Sequence, residues 1–205
     1  THSPECLIRY LNDKISTFSA AQKLEFLQSL STRLKTGSIS WCLRFIESKG
    51  IDLLIDLLDK NSKYPQIFFE LLKSFRALAN ISYGQEVLIS SKKNLAFTLI
   101  QIINPDDPAS FEYIISILIA FICSGNLAVE IQRLIEEKFG WLTFSKILTS
   151  NPLQKIVSTI VLFLNAFFIT YEKQNPKAFI NLLLKLRDAK VFQSLKDYKI
   201  HGSDP

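Results

Sequence analysis

Apolar residues recur along this 205-residue chain at three- and four-residue spacings, and polar breaks separate the apolar stretches. Such spacings place side chains on one face of an α-helix, so the pattern predicts amphipathic helices throughout. Alternation with a period of two, which is typical of strands, is nowhere sustained. The sequence therefore predicts an all-α fold.

The predicted helices group into a module that recurs about every 45 residues. Each module has a short helix, a small residue, an apolar helix, a polar break and a longer apolar helix. The small residues are Gly50, Asn94 and Gly140. Three helices per unit, with the third the longest, favour armadillo geometry over two-helix arrays. We expect an armadillo-repeat right-handed helical solenoid whose third helices line the concave face.

A helical hairpin is predicted before the repeats. Ser3 and Ser19 are expected to cap its two helices, with Pro4 at a first helical position, where its missing N–H is harmless. The predicted repeat helices are 40–47, 51–58 and 67–80; 85–89, 95–103 and 111–123; 129–138, 141–148 and 153–171; then 176–187 and 191–198. Residues 201–205 are expected to fray.

Composition indicates a soluble chain, although 48% of the residues are hydrophobic. Polar residues keep each long apolar run below the roughly 18 residues of a membrane span. They are Glu112 and Ser116 in one run and Ser158, Thr159 and Asn165 in the other. Because the chain has no signal segment and no methionine, we expect an excised fragment of a cytoplasmic protein.

The side chains that carry most catalytic chemistry are sparse. The two histidines, His2 and His201, lie in the tails, and no Gly-rich phosphate loop or cysteine cluster occurs. Asp52 and Asp56, one helical turn apart, are expected to form a solvated helix edge. The pair 106–107 is interpreted as a capping loop. We expect no enzyme, no cofactor and no metal site.

The three cysteines, Cys6, Cys42 and Cys123, lie far apart in apolar stretches. They are expected to be buried and reduced, as in the cytosol.

The net charge of +5 does not concentrate beside exposed aromatic residues, so nucleic acid is not expected as a partner. A moderately basic repeat protein suits an acidic protein partner. The basic residues of the last predicted helices leave direct binding to an anionic membrane as a separate hypothesis.

One stretch of sequence resembles a known family. Residues 30–41, which end in Ser40-Trp41, lead through Phe45 to the leucine-rich stretch that Gly50 opens. This order is similar to the GTPase-binding region of diaphanous-related formins. Further segments agree in order: 70–84, 103–105, 117–122 and 164–166. The resemblance covers about residues 20 to 198.

The resemblance implies the N-terminal regulatory region of a formin. Residues 1–60 would form a GTPase-binding subdomain that merges into the first armadillo repeat, and 40–205 an armadillo (FH3-like) region, in a single continuous structural unit. An active Rho-family GTPase would bind and displace a C-terminal autoregulatory segment of the same protein, thereby controlling actin assembly at the cell cortex. Membrane contact would be indirect, and dimerisation would use segments outside this chain.

The resemblance also implies specific contact residues. Lys73, Arg76 and Asn80 match polar positions of the family and share one helix face. Lys35 and Thr36 supply donors in a loop that is Asn-rich in the best-known members. These five residues are the expected GTPase-binding residues.

For the autoinhibitory groove, Ala120 matches a small residue and Asn165 a polar contact one repeat later. Ser116 and Leu162 stand where the family has Lys and Gln, so this groove would be less polar. Trp41 and Phe45 are expected core anchors. The alternative is a generic armadillo or HEAT scaffold that binds an unrelated extended peptide or helix. An enzyme would need a second chain to supply catalytic groups.

Overall fold

The structure is a computed structural model that describes residues 3–61, 63–91, 94–124, 127–150 and 152–201, except for the side chains of 199–201. Within these ranges it contains α-helices and no β-strand. The all-α prediction is therefore confirmed.

Thirteen helices lie within the described ranges: α1 Pro4–Lys14, α2 Ala20–Thr36, α3 Ile39–Glu47, α4 Gly50–Asn61, α5 Pro65–Ala79, α6 Ser82–Ser90, α7 Leu95–Ile102, α8 Pro108–Cys123, α9 Ala128–Lys138, α10 Leu142–Thr149, α11 Gln154–Gln174, α12 Pro176–Asp188 and α13 Val191–His201. The third helix of each predicted repeat is the longest, at 15 residues for α5, 16 for α8 and 21 for α11. The predicted helix ends agree to within about three residues, which is near the uncertainty of any helix boundary.

Side-chain caps start the helices where the sequence predicts them. The Ser3 hydroxyl accepts a hydrogen bond from the first turn of α1. Ser19 forms a full capping box with Gln22: each side chain accepts from the other residue's backbone N–H, at 3.3 and 2.9 Å. Asp107 caps α8 by accepting from the backbone N–H of Ser110 at 3.3 Å. The 106–107 pair thus includes a capping residue, as predicted.

The chain divides into two compact units, residues 1–98 and 99–205. In the first unit, α2 packs along α5, which also contacts α4 and α6, while α1 packs on α3 and α4. Leu27, Leu54, Leu71 and Phe75 are fully buried in the resulting core. The division into a subdomain over 1–60 and a repeat region over 40–205 stays a prediction.

The second unit is built around an aromatic column. Phe111, Phe144, Phe163, Phe167 and Tyr171 are almost completely buried, and each ring lies within 6.1 Å of its neighbour. These contacts join α8, α10 and α11, and α12 and α13 pack on α11 and α10 respectively. Tilted, edge-on and stacked ring pairs of this kind stabilise a core beyond the area that they bury.

Helix α11 is the longest and one of the more apolar helices of the described residues. It runs uninterrupted for 21 residues, with a mean hydropathy of 1.4 over an 18-residue stretch, which is long and apolar enough to span a membrane. Ser158, Thr159 and Asn165 interrupt the apolar run, but they do not keep the helix as a whole from meeting that length and hydropathy, contrary to expectation. Because 56% of that stretch is buried inside the protein and α11 packs on α8 and α12, it serves as a core helix.

A polar network joins the helices of the second unit at one carboxylate. Glu136 accepts hydrogen bonds from Lys185 at 2.6 Å, Gln132 at 2.9 Å and the Trp141 indole at 3.0 Å. Gln132 in turn accepts from the Tyr171 hydroxyl at 2.7 Å. Burial raises the pKa of Glu136, but the hydrogen bonds from Lys185, Gln132 and Trp141 lower it by more, so the pKa lies below its usual value. Burial, together with the Glu136 charge, raises the pKa of Tyr171 to about 12.

The three small residues that mark the repeats have three different roles. Gly140 has a φ of 68°, the left-handed region that glycine tolerates. Asn94 instead caps α7 by accepting from a backbone N–H at 3.0 Å. Gly50 is the first residue of α4, and the left-handed position there is Lys49, with a φ of 67°. A Cβ at Gly50 would lie 2.3 Å from the ring of Phe45, so Gly50 is needed for close packing.

One expectation about the cysteines is wrong. Cys42 is 2% exposed, and its thiol donates to the Leu34 carbonyl at 3.6 Å, but Cys6 and Cys123 are both exposed. An apolar stretch contains every face of a helix, so local hydrophobicity alone does not place a thiol inside.

We expect Gly50→Ala to destabilise the protein by about 1–3 kcal/mol, because the added methyl group would overlap a Phe45 ring that is fully buried and stacked on Trp41. Urea unfolding measures this change. Lys49→Gly is the matched control, since it replaces the neighbouring residue and relieves its left-handed backbone; it should be neutral or stabilising. A Gly50→Ala midpoint equal to that of the unsubstituted protein would contradict the close packing.

The Glu136 network predicts a pH dependence. The folded-state pKa lies below the ordinary value of 4.5, so the ionised carboxylate contributes stability above pH 4.5 that is lost as the pH falls through the folded-state pKa. Because Lys185 is 39% exposed, this contribution should be about 1 kcal/mol or less. Chemical unfolding at several pH values should show Glu136→Gln losing less stability than the unsubstituted protein on acidification. Parallel losses in the two proteins would rule out this role.

Candidate functional site

The five residues predicted to bind a GTPase all lie in the first unit, on two helices that pack together. Lys35 and Thr36 are exposed in the last turn of α2, and Lys73 and Arg76 are half-buried on α5. Asn80 is exposed at the C-cap of α5, just past its last helical residue. The contact between α2 and α5 brings these two groups into one unit.

The ammonium group of Lys73 is held in place on the α5 surface. Its Nζ lies 2.7 Å from Oε1 of Glu70 and 4.7 Å from the centre of the Phe69 ring. The Lys73 side chain keeps 35% of its surface exposed. A cation fixed by a carboxylate and an aromatic face presents its remaining donors in a defined direction.

Glu70 is a buried carboxylate that the sequence reasoning did not identify. It is 6% exposed, and its Oε2 accepts a hydrogen bond of 2.6 Å from the hydroxyl of Ser31 on α2, itself 5% exposed. Both residues lie at apolar-face positions: Glu70 follows Ile67 by three residues, and Ser31 precedes Leu34 by three. Polar residues in a predicted core stripe are the signal that could have found this pair.

The loop between α2 and α3 is bordered by a stacked aromatic pair. The Trp41 and Phe45 rings lie 5.6 Å apart at 14°, and both are buried, which confirms their prediction as core anchors. The guanidinium of Arg33 lies 4.6 Å from the centre of the Trp41 ring. Ile39, which follows the loop, is 70% exposed. This border therefore combines a fixed cation with an exposed apolar side chain.

The hydroxyl of Thr36 forms a hydrogen bond within α2. It donates to the backbone carbonyl of Thr32 at 2.9 Å. Thr36 therefore offers its oxygen as an acceptor, whereas the sequence predicts a donor. Lys35 remains an exposed donor at this end of α2.

The two predicted groove residues lie in the second unit on α8 and α11, which pack against each other. Ala120 is half-buried and Asn165 is exposed. On α11, Leu162 and Ile169 flank Asn165 at spacings of three and four, and each is 57% exposed. On α8, the hydroxyl of Ser116, one turn before Ala120, donates to Glu112 at 3.3 Å. The exposed stripe of α11 is accordingly more apolar than polar.

Across the described residues, no group of three or more His, Cys, Asp or Glu side chains is placed to hold a metal ion. Asp52 and Asp56 are both exposed on α4. His2 and the side chain of His201 lie outside the described residues.

The fold is that of an all-α helical-repeat domain, and comparison with known proteins identifies its family. A family model described as the diaphanous GTPase-binding domain matches residues 1–124, which is more than half of the chain. The chain belongs to this family, which is one of binding domains. The match includes all five residues predicted to contact a GTPase.

Curated relatives agree with the family. The chain is similar to protein diaphanous homolog 3 of Mus musculus, 24% identical over 127 residues that cover 58% of this chain and 11% of the relative. It is also similar to the Rattus norvegicus protein of the same name, 24% identical over 119 residues that cover 55% of this chain and 10% of the relative. The chain thus spans about a tenth of their length. No solved structure matches it.

The contact between Ser31 and Glu70 predicts energetic coupling. Ser31→Ala should cost about 1–2 kcal/mol, because it removes a hydrogen bond to a buried charged acceptor. In a double-mutant cycle with Glu70→Gln, urea unfolding should give a coupling of about 1 kcal/mol. Lys73→Met is the comparison variant, and its partly exposed ion pair should contribute about 1 kcal/mol or less. Additive effects of Ser31→Ala and Glu70→Gln would contradict the coupling.

Proposed function

We propose that this chain is a regulatory module of a formin whose first unit binds an active, GTP-loaded Rho-family GTPase. The observation that carries the proposal is the match of residues 1–124 to the diaphanous GTPase-binding domain. The names of the curated relatives, both diaphanous homologs, support the same assignment to a formin. Such a module acts by binding rather than by catalysis.

The proposed contact surface consists of Lys35, Thr36, Lys73, Arg76 and Asn80. Positive charge suits the acidic and polar residues expected on the nucleotide-sensing surface of a GTPase. Lys73 is oriented before binding by Glu70 and Phe69, so less side-chain entropy is lost in the complex. Because Glu70 also offsets its charge, Lys73 acts as a directed donor more than as a long-range attractor.

The second unit supports a proposed groove for an autoregulatory helix, the C-terminal segment of the same protein. Ala120 offers a small side chain on α8, and Asn165 offers a polar one on α11 between the exposed Leu162 and Ile169. An amphipathic helix would place its apolar face on such a surface. GTPase binding would release it through a coupling free energy of about 1–3 kcal/mol, a five- to 150-fold change in affinity.

The proposed consequence is control of actin filament nucleation and elongation in the cytoplasm, at the cell cortex. The rival function is that of a generic armadillo or HEAT scaffold that binds an unrelated extended peptide or helix. A GTPase partner is distinguished from such a ligand by its dependence on the bound nucleotide.

The experiment is a binding measurement with a panel of Rho-family GTPases, each loaded with GDP or with a non-hydrolysable GTP analogue. At least one GTPase should bind about tenfold or more tightly in the GTP-like state. Lys73→Glu combined with Arg76→Glu should weaken that binding by about 30-fold or more, since two favourable charge contacts become repulsive.

The control variant combines Lys138→Glu with Lys146→Glu, two exposed lysines of the second unit that carry the same change in charge. It should bind the GTPase like the unsubstituted chain. Equal affinity for both nucleotide states across the panel would contradict the proposal and favour the scaffold. A loss equal to that of the α5 variant would show that only net charge matters.

A further inference from the structure

Helix α12 is apolar on two opposite faces. Leu182 and Leu186 are fully buried against the rest of the second unit. Four exposed positions follow the outward face at spacings of three and four: Lys177, Ile180, Leu184 and Arg187. Ile180 is 58% exposed and Leu184 45% exposed. Two large apolar side chains thus stay exposed between two basic ones on the outward face, and exposed apolar patches with a polar border are typical of contact surfaces.

Helix α13 carries a further exposed apolar side chain close to the start of α12. Phe192 is 39% exposed, and its ring lies 6.5 Å from that of Phe168. The Phe179 ring of α12 packs edge-on against the same Phe168 at 5.8 Å, so the first turns of α12 and α13 meet around one aromatic ring. The outward side chains Ile180, Leu184 and Phe192 are called the α12–α13 face below.

Positive charge concentrates on the same two helices. Residues 176–198 contain five Lys or Arg and two Asp, in a chain whose net charge is +5. Both aspartates are engaged: Asp188 pairs with Arg187 at 2.9 Å, and Asp197 accepts from Gln193 at 2.7 Å.

Two of these five basic side chains form ion pairs within the protein, and three do not. Lys185 is paired with Glu136, and Arg187 with Asp188. No side chain in the described part of the protein forms an ion pair with the ammonium groups of the other three, Lys177, Lys190 and Lys196, all exposed.

We propose that the α12–α13 face, with Lys177, Lys190 and Lys196 around it, binds the surface of an anionic phospholipid bilayer. Shallow insertion of Ile180, Leu184 and Phe192 would bury their apolar side chains while the lysines reach the headgroups. Each lysine near such a surface strengthens binding about fivefold.

The cation type favours lipid over a protein partner. Lysine is depleted from protein–protein interfaces, where arginine and aromatic residues are enriched, whereas lysines around exposed aliphatic side chains are typical of interfacial helices. Membrane contact would then be direct and independent of a GTPase, because it uses the second unit alone. This differs from the indirect contact that the family resemblance implies.

The experiment is co-sedimentation of the chain with vesicles of phosphatidylcholine, with and without about 30% phosphatidylserine, at low and high salt. Binding should require phosphatidylserine and weaken with salt. Lys177→Gln with Lys196→Gln should reduce binding about 30-fold, the loss of two lysine contributions. Ile180→Ser with Leu184→Ser should reduce it about tenfold or more, because the inserted apolar area is lost.

Matched control pairs change similar residues elsewhere in the second unit. Lys138→Gln with Lys146→Gln, and Val129→Ser with Leu142→Ser, alter side chains that are likewise exposed and should leave vesicle binding unchanged. The circular dichroism spectrum of each variant should match that of the unsubstituted chain, which shows that the variant is folded.

Several outcomes would overturn the proposal. One is that the chain does not bind phosphatidylserine vesicles at low salt. Another is that the substitutions on the α12–α13 face and the control substitutions reduce vesicle binding by the same factor. A third is a dimer, measured by sedimentation velocity, that Ile180→Ser with Leu184→Ser converts to a monomer while no vesicle binding is found. That result would assign the face to a second copy of the chain.

Discussion

The first unit depends on one buried carboxylate. Glu70 lies between α2 and α5, and an unpaired charge in that position would cost several kcal/mol. The Ser31 hydroxyl and the Lys73 ammonium pair with its two oxygens. Sliding α2 along α5 by one turn would break the bond from Ser31. The carboxylate therefore fixes the register of the two helices, and with it the position of the α2–α3 loop relative to the polar face of α5.

Much of this architecture could be predicted from local sequence. Capping residues such as Ser19 and Asp107, and the prolines that follow polar breaks, act within a few residues of themselves, so the helix ends could be located closely. Trp41 and Phe45 were recognisable as core anchors because large aromatic side chains at helical spacing are rarely left outside. The family could also be inferred from the sequence, because several short segments occur in the same order as in its members.

Other features depend on contacts between distant segments. Nothing near Cys123 shows that it faces outward, and nothing near Gly50 shows that its missing side chain makes room for the Phe45 ring. The pairing of Ser31 with Glu70 spans 39 positions and needs the packing of α2 on α5. The candidate contact residues could be named from the resemblance, but the carboxylate that orients Lys73 could be found only in three dimensions.

The network around Glu136 has a consequence for how this domain diversifies among relatives. Its members depend on one another for hydrogen bonds, with Trp141, Gln132 and Lys185 all donating to one carboxylate. A single substitution at that carboxylate would leave a buried indole donor without an acceptor. These positions should therefore be inherited as a set, and lineages that lose the glutamate should also have replaced the tryptophan.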